Sequence, residues 1–223
     1  CAKSGEPYFI DSFGEYWRAY HFVEDAYALE EVKDPQDFYQ SAVAFGNFQR
    51  MLADFPADTL TETIAGFHDT KARFAAFEKA VEEDVCGRAA GVQQEIRFIK
   101  DRYDVACVLG DLLEAGELPL RVTHNDTKSN NVLMDNTTGK GLCVIDLDTV
   151  MPGLAVNDFG DSIRFGASTG AEDEKDLSRI SCDMELYDIY AKGFVEGCGG
   201  ALTDMEIECL PIGAKVMTYE CGM

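Results

Sequence analysis

The pattern of apolar and polar positions predicts several long helices with shorter apolar runs between them. Asp34 followed by Pro35 is typical of a helix N-terminus, because proline at the first helical position loses no hydrogen bond. Apolar residues then recur at helical spacing until Asp54-Phe55-Pro56 ends the pattern. The face that we expect in the core consists of Phe38, Ala42, Phe45, Gln49 and Leu52.

Further segments have the same helical period. We expect helices over residues 70–84, 92–114 and 184–196, the last ended by Gly197-Cys198-Gly199-Gly200. Their predicted inward residues are Phe74, Phe77 and Val81 in the first of these helices and Ile96, Ile99, Tyr103, Ala106 and Leu113 in the second. Thr203 with Glu206 forms a capping box for a final helix, which we expect to be interrupted at Pro211.

Short apolar runs near the start and in the middle of the chain predict two hairpins. Near the start, Pro7 to Asp11 and Glu15 to Phe22 have the composition of strands joined by a Ser12-Phe13-Gly14 turn. In the middle, residues 120–123 and 132–134 flank a polar loop, and a turn rich in Asn, Thr and Gly then leads into residues 142–145. The chain is therefore predicted to be α+β and mainly helical.

The polar loop in the middle of the chain carries side chains suited to phosphoryl transfer. It contains His124-x-Asp126-x-x-x-x-Asn131, and the strand that follows ends in Asp146. Phosphoryl transfer needs a carboxylate to orient the attacking hydroxyl, and an amide oxygen with a second carboxylate to hold Mg²⁺ against the phosphates. Each residue alone would be read as a core histidine, a turn former or a strand cap. Their order together indicates a kinase-type site.

These residues resemble the aminoglycoside phosphotransferase and choline kinase superfamily, the small-molecule relatives of protein kinases. Within it, the segments 124–133, 144–153 and 158–166 look most like the N-acetylhexosamine 1-kinases, which use ATP to phosphorylate the anomeric hydroxyl of GlcNAc or GalNAc. The resemblance implies a protein-kinase-like C-terminal lobe built around a short catalytic β-hairpin.

The same resemblance implies roles for individual residues. Asp126 is expected to be the catalytic base, and Asn131 and Asp146 are expected to bind Mg²⁺. Lys128 would reach the transferred phosphate, although a solvated surface lysine is the other interpretation. ATP and Mg²⁺ are therefore the expected cofactors.

Residues 1–24 resemble the last strands of a kinase N-terminal lobe, running into the hinge that binds adenine. The backbones of His21 and Val23 would face the base, or this segment is an ordinary surface hairpin. Residues 25–223 would form the C-terminal lobe. Neither Gly-x-Gly-x-x-Gly nor Gly-x-x-x-x-Gly-Lys-[Ser/Thr] precedes Asp126, and the family has further helices at its C-terminal end. We therefore expect a fragment that is inactive alone, with a naturally short protein as the alternative.

Four other polar residues have two interpretations each, and a fifth, Asp158, has one. His124 either contributes near the metal and substrate or is a core histidine. Asp148 either lies near the metal and substrate or makes turn hydrogen bonds. By resemblance, Asp158 braces the catalytic loop. Asp161 and Arg164 either bind a sugar hydroxyl or pair with each other on a short helix, and the pair is preferred.

The composition of the chain limits the classes of partner that it can bind and indicates its compartment. A net charge of −22 opposes binding to nucleic acid or anionic membranes, because the long-range field repels polyphosphate. Eight cysteines include no Cys-x-x-Cys pair, which favours reduced thiols and a cytoplasmic location. Apolar surface near the hinge, normally covered by the other lobe, would favour self-association.

The function predicted from these observations is ATP- and Mg²⁺-dependent phosphotransfer to a sugar hydroxyl. The first alternative is a kinase of the same fold that acts on another small alcohol, such as choline, homoserine or an aminoglycoside. Aminoglycosides are polycations and would suit the acidic surface. A kinase-like binding module without catalysis is the second.

Overall fold

Two long helices packed side by side form the centre of the computed structural model, which describes residues 3–30, 32, 34–171 and 174–223. The helices of these residues are α1 (Pro35–Met51), α2 (Thr70–Glu83), α3 (Gln93–Lys100), α4 (Tyr103–Ala106), α5 (Val108–Glu114), α6 (Ala155–Gly166), α7 (Met184–Cys198) and α8 (Asp204–Gly222). The strands are β1 (Phe9–Ile10), β2 (Tyr16–Trp17), β3 (Ala26–Ala28), β4 (Arg121–Thr123), β5 (Val132–Asp135), β6 (Gly141–Val144) and β7 (Met151–Gly153). The predicted α+β, mainly helical class is confirmed.

The central pair consists of α1 and α7. The predicted cap of α1 is confirmed, because the Asp34 carboxylate accepts the backbone N–H of Gln36 at 2.8 Å. Glycines bring the two helices into close contact: a Cβ atom on Gly46 would lie 2.3 Å from the carbonyl oxygen of Phe194. The two backbones can touch here only because this position has no side chain.

The hydrophobic core lies between this helix pair and the hairpin that follows the polar loop. Its buried members include Phe38, Phe45, Val132, Met134, Phe159, Tyr190 and Phe194. The strands β3, β5 and β6 form one antiparallel sheet in that order, and β4 pairs with β7 in a second. The polar loop of residues 124–131 therefore connects one sheet to the other, directly above the core.

The predicted interruption of the last helix is wrong. The Thr203–Glu206 capping box is present, but α8 continues through Pro211 without a break. Proline removes one backbone hydrogen bond inside a helix, at a cost of about 3 kcal/mol. Buried residues on both sides of Pro211, including Leu210 and Val216, pack against the rest of the protein and outweigh that loss.

The predicted helix over residues 92–114 is also wrong, because the chain forms three shorter helices there, α3, α4 and α5. At the first break the Phe98 carbonyl accepts the guanidinium of Arg102 at 3.1 Å. The backbone N–H of Arg102, which would bond to that carbonyl in a continuous helix, donates to Ile99 instead. The segment thereby bends around α8, with Ile96, Ile99 and Ala106 buried as predicted and Tyr103 only half-buried.

The N-terminal hairpin is shorter than predicted. Only Phe9–Ile10 and Tyr16–Trp17 pair, and Gly14 at the turn has a φ of +86°. Several of its aromatic side chains are exposed, among them Phe13, Tyr16, Tyr20 and Phe22. The strand β3, which was not predicted, then joins the sheet formed by β5 and β6.

Two further observations concern the predictions that were made from composition. The cysteines of the described residues are all free thiols, as predicted. No helix within the described ranges is long and apolar enough to cross a membrane.

Candidate active site

One buried carboxylate accepts hydrogen bonds from the backbone of the polar loop and fixes its position. Asp158, in the first turn of α6, accepts the backbone N–H of His124 at 2.9 Å and that of Asn125 at 2.8 Å. A third donor is the side-chain amide of Gln49, also at 2.8 Å. Burial raises the pKa of Asp158, while the two backbone N–H donors of His124 and Asn125 act in the opposite direction. Asp158 therefore braces the loop, in agreement with the resemblance.

A second carboxylate of α6 fixes the next part of the loop. Asp161 accepts the backbone N–H of Thr127 at 3.0 Å with one oxygen and the guanidinium of Arg164 with the other. The preferred Asp161–Arg164 ion pair is confirmed at 3.0 Å. Ser162 adds a bond to the Thr127 carbonyl at 2.8 Å and itself accepts the hydroxyl of Tyr190. These contacts assign Asp161 a supporting position beneath the loop.

His124 lies inside the protein beneath Asp126. Its ring is fully buried, with its Nε2 atom 2.9 Å from the Ile145 carbonyl and the rings of Phe45 and Phe48 packed edge-on. The backbone N–H of Asp126 donates to Nδ1 at 3.3 Å. These contacts correspond to a neutral imidazole that donates from Nε2 and accepts at Nδ1. The buried ring orients the loop and does not face the surface.

Asp126 lies at the top of the loop, with its side chain 31% exposed. The amide nitrogen of Asn131 donates to the Asp126 carboxylate at 3.1 Å and to its backbone carbonyl at 2.8 Å. On the other side, the amine of Lys128 lies 3.5 Å from the carboxylate. Asp126 is thus an accessible side chain held between two donors.

Asp146 begins the segment beside the loop and is separated from the end of β6 by Ile145 alone. The Ile145 N–H donates to the Asn131 carbonyl at 2.9 Å, which places the backbone of Asp146 next to the loop. Asp146 is exposed and has a φ of +58°, a left-handed conformation that costs a residue other than glycine about 1 kcal/mol. A strained, exposed carboxylate at this position is typical of functional sites rather than of a strand end.

The donor set fits a hard divalent cation. The amide nitrogen of Asn131 is used within the loop, which directs its Oδ1 atom away from Asp126, and Mg²⁺ prefers such oxygen ligands with phosphates and water. Within the described residues no group of three or more His, Cys, Asp or Glu side chains could hold a metal ion. A cation here would therefore depend on Asn131, Asp146 and the phosphates. Convergence of these two side chains stays a prediction.

Asp148 forms an ion pair that neither interpretation of the sequence included. Its carboxylate binds the guanidinium of Arg18, which lies just after β2 and packs over the Tyr20 ring. Both partners are more than half exposed. The N-terminal hairpin is thereby connected to the segment that carries Asp146.

The predicted hinge residues lie at the surface. His21 is exposed and Val23 is half-buried, three residues before β3 begins. The Ser129 hydroxyl donates to the Leu29 carbonyl at 3.2 Å, so the chain that follows these two residues contacts the polar loop. Contact of His21 and Val23 with adenine stays a prediction.

Supporting residues whose role at the site was not predicted from the sequence include Arg18, Gln49, Asn125 and Thr149. Arg18, Gln49 and Thr149 act on residues distant in the chain. Gln49 was expected only as a residue of the core face of α1, and Thr149 only as part of the segment 144–153. Asn125 could have been noticed, because it lies inside the motif and asparagine tolerates the left-handed conformation that it adopts, with a φ of +63°.

Comparison with known proteins identifies related chains. The model of the family described as the phosphotransferase enzyme family (APH) matches residues 6–191. Among solved structures, this chain is similar to an ethanolamine kinase from Plasmodium vivax, with 15% sequence identity and a TM-score of 0.46. The match covers 90% of this chain and 55% of that one. The chain thus spans about half the length of the ethanolamine kinase.

Proposed function

Because this chain belongs to the phosphotransferase enzyme family, we propose that it transfers the γ-phosphoryl group of ATP to a hydroxyl group of a small molecule. The observation that carries the proposal is the position of Asp126. Its carboxylate is accessible, is held by Asn131 and Lys128, and belongs to a loop whose backbone is fixed by two carboxylates of α6. A rigid loop that presents one carboxylate suits general-base chemistry, which depends on geometry first.

Each group then has a specific task. Asp126 accepts a hydrogen bond from the acceptor hydroxyl and directs its oxygen at phosphorus, taking the proton as the new oxygen–phosphorus bond forms and the bond from phosphorus to the departing ADP breaks. Lys128 neutralises charge on the transferred phosphoryl group, which it can reach because its amine lies beside Asp126. Bound Mg²⁺ would neutralise the phosphate oxygens, with Asn131 and Asp146 as its protein ligands.

The acceptor that we propose is the anomeric hydroxyl of an N-acetylhexosamine. The support for it is the resemblance of the segments 124–133, 144–153 and 158–166 to the N-acetylhexosamine 1-kinases. For the nucleotide, we propose that adenine lies against the backbone of His21 and Val23. The two-lobe division, with residues 1–24 as hinge strands and 25–223 as the C-terminal lobe, belongs to the same proposal.

The test is a phosphotransfer assay on the complete gene product with MgATP. GlcNAc, GalNAc, choline, ethanolamine, homoserine and an aminoglycoside are offered separately, and products are identified by ³¹P NMR. An N-acetylhexosamine should give a phosphate signal coupled to the anomeric proton. Transfer to another acceptor, with none to an N-acetylhexosamine, would support the proposed phosphotransferase activity but exclude an N-acetylhexosamine as its acceptor. Nucleotide binding with no transfer to any acceptor would favour a non-catalytic binding module.

A further inference from the structure

The segment that carries Asp146 is attached to the catalytic loop on both sides of this residue. On the N-terminal side, Ile145 uses both backbone groups: its N–H donates to the Asn131 carbonyl, and its carbonyl accepts from the ring of His124, each at 2.9 Å. One residue later the chain enters the left-handed conformation of Asp146 and a single 3₁₀ turn, Leu147–Thr149.

On the C-terminal side, Thr149 makes the attachment. Its hydroxyl donates to the His124 carbonyl at 2.6 Å, and its own carbonyl accepts the side-chain amide of Asn125 at 2.9 Å. The two segments therefore exchange hydrogen bonds in both directions at this point. Since His124 and Asn125 directly precede Asp126, Thr149 is bonded to the base-bearing loop itself.

Thr123, at the end of β4, contacts both segments beside these hydrogen bonds. The Thr123 hydroxyl lies 3.0 Å from the Asn125 side-chain oxygen and 3.0 Å from the Met151 carbonyl. A Cβ atom on Gly153 would lie 2.3 Å from the Thr123 hydroxyl, so only glycine allows β7 to approach β4 this closely. The side-chain oxygen of Asn125 is thereby bonded to Thr123, and its amide nitrogen is bonded to Thr149.

We infer that Thr149 is a positioning residue that sets where the Asp146 carboxylate lies relative to Asp126, and so determines the affinity of the site for a divalent cation. This inference rests on the proposed function, in which Asp146 is a metal ligand. The exposed side chain of Asp146 makes no hydrogen bond or ion pair within the described residues, so the backbone position set by these attachments determines which groups its carboxylate can reach. Residues that orient metal ligands typically change metal affinity by about 10- to 100-fold when replaced.

The experiment measures binding of Mn²⁺ in the presence of ADP by the complete gene product, using the electron paramagnetic resonance signal of free Mn²⁺. Thr149→Val removes the hydroxyl but keeps the shape, and should weaken Mn²⁺ binding by about tenfold or more. Thr149→Ser keeps the hydroxyl and should restore affinity to within about twofold of wild type. Thr218→Val is the matched control, because Thr218 is exposed on α8 and its hydroxyl donates to the Ala214 carbonyl of the same helix.

Asp146→Asn separates the two claims. If this variant binds Mn²⁺ as tightly as wild type, the proposed metal site and the inference both fail. If Asp146→Asn weakens binding while Thr149→Val does not, the inference alone is overturned. Should Thr149→Val not fold, Asn125→Gly removes the other hydrogen bond of the exchange, from the Asn125 amide to the Thr149 carbonyl, and glycine accepts the φ of +63° at that position. Unchanged Mn²⁺ affinity in a folded Asn125→Gly variant would then contradict the role of the exchange.

Discussion

The side chain of Asn131 donates two hydrogen bonds to Asp126, one to its backbone carbonyl at 2.8 Å and one to its carboxylate at 3.1 Å. One amide group thus fixes both the loop backbone and the direction of the proposed base. The same orientation leaves the amide oxygen for the proposed cation. Base and metal ligand are therefore coupled through a single side chain.

This coupling predicts different results for two substitutions. Asn131→Asp keeps an oxygen for the cation but removes both N–H donors that hold Asp126, so the direction of the proposed base should be lost. We expect kcat to fall while Mn²⁺ still binds, as followed by the electron paramagnetic resonance signal of free Mn²⁺. Asn131→Ala should lose Mn²⁺ affinity and activity together. A wild-type kcat in Asn131→Asp would show that the two N–H donors do not orient Asp126.

Much of the site could be predicted because its chemistry is local in sequence. Asp126, Lys128 and Asn131 occupy one loop of the chain, and the turn after Asp135 determines that the hairpin returns toward them. Helix ends marked by side-chain caps, such as Asp34 and Thr203, were also found at the predicted positions.

The parts that could not be predicted depend on distant contacts. Gln49 and Asp158 are 109 residues apart, and Arg18 and Asp148 are 130 apart. The bend at Arg102 results from packing around α8. The helical spacing of apolar residues gives no information about such long-range packing. Self-association through the exposed aromatic residues of the N-terminal hairpin stays a prediction, since exposure does not identify a partner.

Replacement of Asp158 should destabilise the protein through the loop that it braces. Asp158→Asn substitutes an NH₂ group for one of two oxygens that together accept three N–H donors. At least one buried donor then loses its partner, which costs about 1–3 kcal/mol in the free energy of unfolding. Urea unfolding measures the loss.

The matched control for this change is Asp183→Asn. Asp183 also accepts two backbone N–H groups, but at the N-cap of α7, where asparagine caps about as well as aspartate. We expect a change below about 0.5 kcal/mol there. Equal losses in the two variants would show that Asp158 has no special role beneath the loop.

Stability should fall in alkaline solution for an identifiable reason. Burial raises the pKa of Cys198 from 9.0 to about 12, and that of Tyr219 from 10.0 to about 12. Between pH 9 and about 12 the unfolded chain therefore releases protons that the folded chain keeps. Since the unfolded state binds fewer protons, the free energy of unfolding decreases as pH rises through this range.

Substitution separates the tyrosine contribution. Tyr219→Phe removes the group that titrates, along with its hydrogen bond to the Ile99 carbonyl at 3.1 Å. The variant should be less stable at neutral pH but lose less stability between pH 10 and 12. Tyr16→Phe, at an exposed position, should keep the wild-type slope. A Tyr219→Phe slope equal to that of wild type would exclude Tyr219 as a source of the alkaline loss.

The most direct test of the phosphotransfer site is the turnover of Asp126→Asn in the complete gene product, with MgATP and the acceptor that wild type uses. Asparagine keeps the size of the side chain and can still accept from Asn131, but it cannot take a proton from the attacking hydroxyl. We predict that kcat falls by about 10² or more, as expected for loss of a general base, while the melting temperature and the Kd for the nucleotide stay close to wild type. Turnover near the wild-type rate in this folded variant would contradict the assignment of Asp126 as the base.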